Sequence, residues 1–170
     1  MSLLLLFWVH PLFSLPKTAD SIAQSYSNIK ETGTNNAGFN DKEFERKMKD
    51  KPIYWKKSLQ WCAFFLSLCL EESDAIFPTI RSGSSQKFIT KQSIPFKDVL
   101  YGKKKLDKPC IIVYTNGNSI TGHVDIVLKQ ISKTEFLVIG GNVGDKVTLR
   151  TIRYNANSAQ RINCFTPIGY

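Results

Sequence analysis

The sequence predicts an α+β domain in which helices come first and an antiparallel sheet follows, and three observations carry that prediction. Up to about residue 73 the apolar residues gather in helix-like segments, most densely from Trp61 to Glu71. From Cys110 onward the texture changes to short runs rich in β-branched and aromatic residues, separated by turn signals. A chain of 170 residues that is 42% hydrophobic buries one full core, and it is too short for two domains of ordinary size.

The chain opens on Leu3-Leu4-Leu5-Leu6-Phe7-Trp8-Val9, a run broken by His10-Pro11. That is far short of the ~20 residues a spanning helix requires, so no stable membrane span is expected. It matches the ~7–15 apolar residues of a secretory signal core, although no Lys or Arg precedes it and the cleavage site is poorly marked, Ser21-Ile22-Ala23 being one candidate. Residues 1–19 are therefore read as a signal peptide or apolar N-terminal segment and 20–170 as the domain, exported to a periplasmic or extracellular setting. Two short helices are expected over roughly 20–30 and 40–49, around the loop Gly33-Thr34-Asn35-Asn36-Ala37-Gly38, with Asn40 as the cap of the second. Pro52, Tyr54 and Trp55 then lead into the helix from about Trp61 to Glu71, which is apolar on nearly every side and so is expected to be buried on nearly every side. Ser58 is the expected cap, which sets Cys62 in the first turn.

Residues 74–108 read as an irregular surface excursion with room for one helix, a turn at Ser82-Gly83-Ser84-Ser85 and a basic loop at 103–108. About five strands follow, over 110–114, 122–129, 135–140, 146–154 and 162–168. Asn116-Gly117-Asn118 and Gly144-Asp145 are the clearest turns between them.

Lys and Arg number 23 against 14 Asp and Glu, a net charge of +9 that favours an anionic partner such as nucleic acid, anionic lipid or wall polymer. Nucleic-acid binders concentrate their basic residues in one stripe. Here they are scattered, with Lys103-Lys104-Lys105 the one tight run, so nucleic acid is not the expected partner. Cys62, Cys69, Cys110 and Cys164 form no Cys-x-x-Cys pair and there are two histidines, so no metal or cofactor is expected. Cys62 and Cys69 lie too far apart along one helix to bond each other. In an oxidising compartment Cys110 and Cys164 are the expected partners, unless both are buried thiols of the strands that hold them.

The chemistry gathers at three places. A thiol in the first turn of a helix has its thiolate favoured by the helix dipole and by any nearby imidazolium, which makes Cys62 the candidate nucleophile. In Gly122-His123-Val124-Asp125-Ile126-Val127, alternation sets Val124 and Ile126 toward the core and His123, Asp125 and Val127 on the face expected to line a cleft, with Gly122 permitting close approach beside the imidazole. Asn142 follows the next strand, 142 − 123 = 19 residues on, where a hairpin returns it beside His123 to accept the imidazole N–H. Asp125 is the rival orienting group, but strand alternation points it parallel to His123, so the smaller effect is expected of Asp125→Asn.

Trp61-Cys62-Ala63-Phe64-Phe65, Gly122-His123-Val124-Asp125-Ile126-Val127 and Gly140-Gly141-Asn142-Val143, in this order, resemble the CHAP-type cysteine amidohydrolases and peptidases, relatives of the NlpC-type wall hydrolases. The Glu31 to Gly38 loop resembles the segment preceding the nucleophile helix in one phage and bacterial branch, so the likeness spans roughly residues 20–168. The resemblance implies a papain-like fold, with a buried nucleophile helix on a C-terminal sheet, and roles of nucleophile for Cys62, base for His123 and orienting group for Asn142. It implies hydrolysis of an amide bond in bacterial peptidoglycan, either amidase or stem-peptide endopeptidase, with an inhibitor protein as partner if the chain is a toxin. The sequence departs from the family pattern at Lys108-Pro109-Cys110, Asp125 and Val143. The alternative is a catalytically idle module of the same fold that binds wall polymer or a protein partner.

Overall fold

The computed structural model describes residues 15–34, 37–77, 81–106, 109–117, 121–158 and 160–170. Four helices, α1 (Ala19–Ser25), α2 (Lys42–Lys49), α3 (Cys62–Glu71) and α4 (Phe96–Leu100), accompany six strands, β1 (Ile94–Pro95), β2 (Cys110–Asn116), β3 (Gly122–Gln130), β4 (Glu135–Gly140), β5 (Thr148–Arg153) and β6 (Gln160–Pro167). All pairings are antiparallel, in the order β1-β6-β2-β3-β4-β5. β2 to β5 form a meander, and β6 returns to the other edge of β2. The sheet has six strands where about five were expected, because β1 is two residues long, contains Pro95 and sits inside the segment read as irregular.

Local chemistry sets the helices. Asp41, not Asn40, caps α2, its carboxylate accepting from Phe44 N at 2.9 Å. Glu43 and Glu45 then occupy the first turn and Arg46, Lys47 and Lys49 the last, as the helix dipole favours. The apolar α3 buries eight of its ten residues. Trp61 stands at its N-cap and makes no side-chain capping bond to the helix, and Ser58, expected there, adopts φ +69° upstream. Inside α3, Ser67 returns its hydroxyl to Ala63 O at 2.9 Å, which removes the cost of burying it. No helix among the described residues is long and apolar enough to cross a membrane.

The chain from Lys17 is tied into this fold: Lys17 N donates to Asp74, and Ala19, fully buried, donates to the Tyr170 hydroxyl. Ser21-Ile22-Ala23 lies within α1 with Ile22 and Ala23 in the core, so removal through Ala23 would strip core residues from the domain. The apolar run at 3–9 lies outside the described residues.

Alternation along the strands divides two cores between the two faces of the sheet. One face, with Ile111, Val113, Val124, Ile126, Ile139 and Cys164, packs against α1, α2 and α3. The other, with Cys110, Ile112, Tyr114, Val127, Phe136, Val138 and Phe165, is covered by Phe96 and Val99 of α4. On the face of His123, Asp125 and Val127, Asp125 and Val127 are buried and His123 is half-buried. The same division corrects the expected Cys110–Cys164 disulfide: the two thiols lie on opposite faces, and all four cysteines are free.

Candidate active site

The site forms where β3 outruns β4. Their pairing begins at Ile126–Ile139, so among the described residues Gly122 to Asp125 pair with β2 and have no β4 partner. Two glycines at the end of β4 shape that opening. A Cβ on Gly141 would lie 2.6 Å from the Trp61 ring and 2.7 Å from Phe65, so the absent side chain lets α3 seat its first turn against the sheet. A Cβ on Gly140 would stand 1.7 Å from Asp125 Oδ1, so the carboxylate occupies the space that any other residue would fill. Gly122 serves a third close approach, because a Cβ there would lie 2.0 Å from the Tyr114 carbonyl of β2.

Cys62, the first residue of α3, comes within hydrogen-bond reach of the His123 imidazole. Nε2 of that ring donates to Asp125 Oδ1 at 2.9 Å, which leaves Nδ1 for the thiol. The Asp125 carboxylate is held in turn by the Tyr114 hydroxyl at 2.8 Å and by Arg150, whose Nη2 donates to Oδ2 at 2.8 Å and Nη1 to Oδ1 at 3.3 Å. Thiol, imidazole, carboxylate and guanidinium form one connected series from α3 to β5.

The charges follow from that geometry. Burial, the largest influence on His123, disfavours the imidazolium, but the charge and hydrogen bond of Asp125 and the neighbouring Cys62 outweigh it and raise the value from 6.5 to about 10. Burial likewise works against ionised Asp125, and His123, Arg150 and Tyr114 overcome it, holding the carboxyl below its ordinary value. The other thiols are suppressed: burial raises Cys69 well above 9.0, pushes Cys110 to about 12 and raises Cys164.

Comparison with known proteins gave no match, whether to family models, to curated proteins or to solved structures. The account of the site therefore stands on its geometry.

The structure brings Cys62 and His123 together and does not bring Asn142 to the imidazole. Asn142, at φ +62° in the turn after β4, donates from Nδ2 to Gln60 Oε1. The orienting contact belongs to Asp125, and the reasoning from alternation failed because it fixes the face and not the reach. An imidazole at one position can lie along the strand and meet a carboxylate two residues on. Asn142 instead engages the side-chain oxygen of Gln60, two residues before Cys62. Glu31 also joins the site, accepting from Trp61 Nε1 beside Cys62, while its own N–H donates to Asp145 O at 2.7 Å. Tyr114 and Arg150 were not anticipated. Arg150 is one of several polar residues in β5 and Tyr114 one of several in β2, so neither stands out in the sequence or names a partner.

Proposed function

We propose that this chain is a papain-like cysteine hydrolase of the CHAP type, cleaving an amide bond of bacterial peptidoglycan through Cys62, His123 and Asp125. The observation that carries the reading is a first-turn helical thiol within reach of an imidazole whose far nitrogen is locked onto a buried carboxylate. That is the arrangement nucleophilic catalysis requires: a base adjacent to the nucleophile and a third group fixing the base.

In the proposed reaction the Cys62 thiol passes its proton to His123 Nδ1 and its sulfur attacks the carbonyl carbon, and the oxyanion is met by the Cys62 backbone N–H, which has no intrahelical partner at the helix start. The Gln60 side-chain N–H adds a second donor, aimed by Asn142. His123 Nδ1 gives its proton to the leaving amine as the C–N bond breaks, leaving a thioester on Cys62. Water then attacks the thioester, losing a proton to His123, and releases the acid and the thiol. Asp125 keeps Nε2 protonated throughout and stabilises the imidazolium.

The wall substrate rests on the resemblance of the three motifs, and export to the wall on the apolar run at residues 3–9; the charge of +9 suits an anionic wall setting. The test is incubation with purified sacculi, with mass spectrometry of the soluble products. Release of fragments bearing one new amine and one new carboxylate supports the reading and identifies the bond. Intact sacculi after prolonged incubation with folded protein would reject it in favour of an idle binding module.

A further inference from the structure

A cleft of about 700 Å³ lies away from the catalytic centre, between the α4 turn, the 104–106 segment and the far end of β3. His123 is the second residue of β3 and Lys129 the eighth, so at ~3.3 Å per residue the two are roughly 20 Å apart. Four lysines line the cleft: Lys104 and Lys105 from the loop after α4, Lys129 from β3 and Lys133 from the β3–β4 turn. All four are exposed, and among the described residues none of them makes an ion pair. The nearby carboxylate of Glu135 is taken by Arg153. Lys133 also rests its ammonium over Gly102, where a Cβ would stand 2.9 Å from Nζ, so the cleft wall depends on a glycine at φ +72°.

We infer that this cleft is a second binding site, separate from the catalytic centre, for a linear phosphodiester polymer of the cell envelope. Convergent lysines from three segments present compact ammonium charges to anionic groups at intervals, which suits phosphates along a chain. A lining of lysines without arginine forks holds anions as point charges, the mode in which lysine serves phosphate groups. A lining with Tyr101 as its one aromatic lacks the successive stacking platforms that single-stranded nucleic acid uses. The concavity sets the four lysines around one groove along which such a polymer can lie. The choice of an envelope polymer rests on the proposed wall substrate; the site would hold the enzyme on the wall while the distant thiol works.

The test is sedimentation of the full-length protein with purified Gram-positive sacculi, before and after cold hydrofluoric acid has removed their phosphodiester polymers. The wild type is expected to be retained on untreated sacculi and released from stripped ones. A Lys104→Glu/Lys129→Glu double variant with unchanged circular dichroism is expected to lose at least about thirtyfold in apparent affinity. Its rate on a small soluble muropeptide should equal that of the wild type, because neither lysine belongs to the catalytic machinery. Equal retention on stripped sacculi, undiminished binding by the double variant, or tighter binding to a DNA oligonucleotide than to poly(glycerol phosphate) at matched salt would each overturn the inference. Catalysis is read apart from retention, so an inactive protein that still sediments as expected defeats the proposed reaction and leaves the binding site standing.

Discussion

Asp125→Asn keeps the shape of the side chain and removes its charge, and the structure ties three consequences to that change. His123 in the native protein stands at about 10 against an ordinary 6.5, a preference for the imidazolium of about 5 kcal/mol. With the carboxylate gone, the burial that opposes the imidazolium acts with little to counter it, and the value should fall to 6.5 or below. The alkaline limb of the pH–rate profile should move from near pH 10 into the neutral range. The amide can also donate to Nε2 and hold the neutral ring in the tautomer protonated at Nδ1, so turnover should fall by about 10²–10⁴-fold. Stability should fall too. Breaking a buried ion pair costs about 3–5 kcal/mol, and the lower end applies because the Arg150 side chain is 25% exposed and regains water. The pH dependence has a definite sign. Folding raises His123, so its stabilisation is complete below about pH 6.5 and is lost as pH climbs through about 10. Folding lowers Asp125, so its share is present above pH 3.8 and is lost on acidification through the depressed native value. Wild-type thermal stability should decline between pH 6.5 and 10 in a way the variant does not share. Steady-state rates and melting curves across that range provide the assay. A variant with the native pH profile and near-native turnover would refute the assignment of Asp125 as the orienting group.

Other expectations follow from the same geometry. Limited iodoacetamide treatment of the native protein with peptide mapping should label Cys62 first, since all four thiols are buried but those of Cys69, Cys110 and Cys164 are held protonated while Cys62 has the His123 imidazole beside it; preferential labelling of any of these three would count against Cys62 as nucleophile. Gly140→Ala must displace the Asp125 carboxylate, so it should cost about 1–3 kcal/mol in denaturant unfolding and most of the activity, whereas an unchanged midpoint would mean the carboxylate does not sit over β4. Asn142→Ala should lower turnover by less than the 10²–10³-fold that loss of a whole oxyanion donor costs (about 3–4 kcal/mol), and it should add little to Gln60→Ala, because the two share one path. Full additivity in that double-mutant cycle would detach Asn142 from Gln60.

Much of the fold is legible in the sequence because its signals are local. The strands at Cys110, Gly122, Glu135, Thr148 and Gln160 are β-branched runs bounded by turns, and each falls within a few residues of the expected range. The buried α3 follows from an apolar run with no polar face. β1 left no such signal, since two residues including a proline carry no period. The Cys62–His123 pair is legible because a thiol in a helix start and a histidine behind a glycine are unusual residues in informative places. The third group was misread because side-chain reach and strand register decide it. Gly140 opens the space, Arg150 crosses from β5 and Tyr114 arrives from β2, and none of these neighbours is near Asp125 in sequence. The Gly140-Gly141 pair reads as ordinary turn chemistry in the sequence, while in the fold one glycine admits a carboxylate and the other a tryptophan.

The claim at the centre of this account is a covalent intermediate on Cys62. Intact-protein mass spectrometry of an acid-quenched reaction with a defined muropeptide, run on the wild type and on folded Cys62→Ala, tests it directly. The account predicts an acyl adduct on the wild type that maps to the peptide containing Cys62, with neither adduct nor product from Cys62→Ala. Product formation by folded Cys62→Ala at the wild-type rate, or an adduct mapping to Cys69, Cys110 or Cys164, would contradict it.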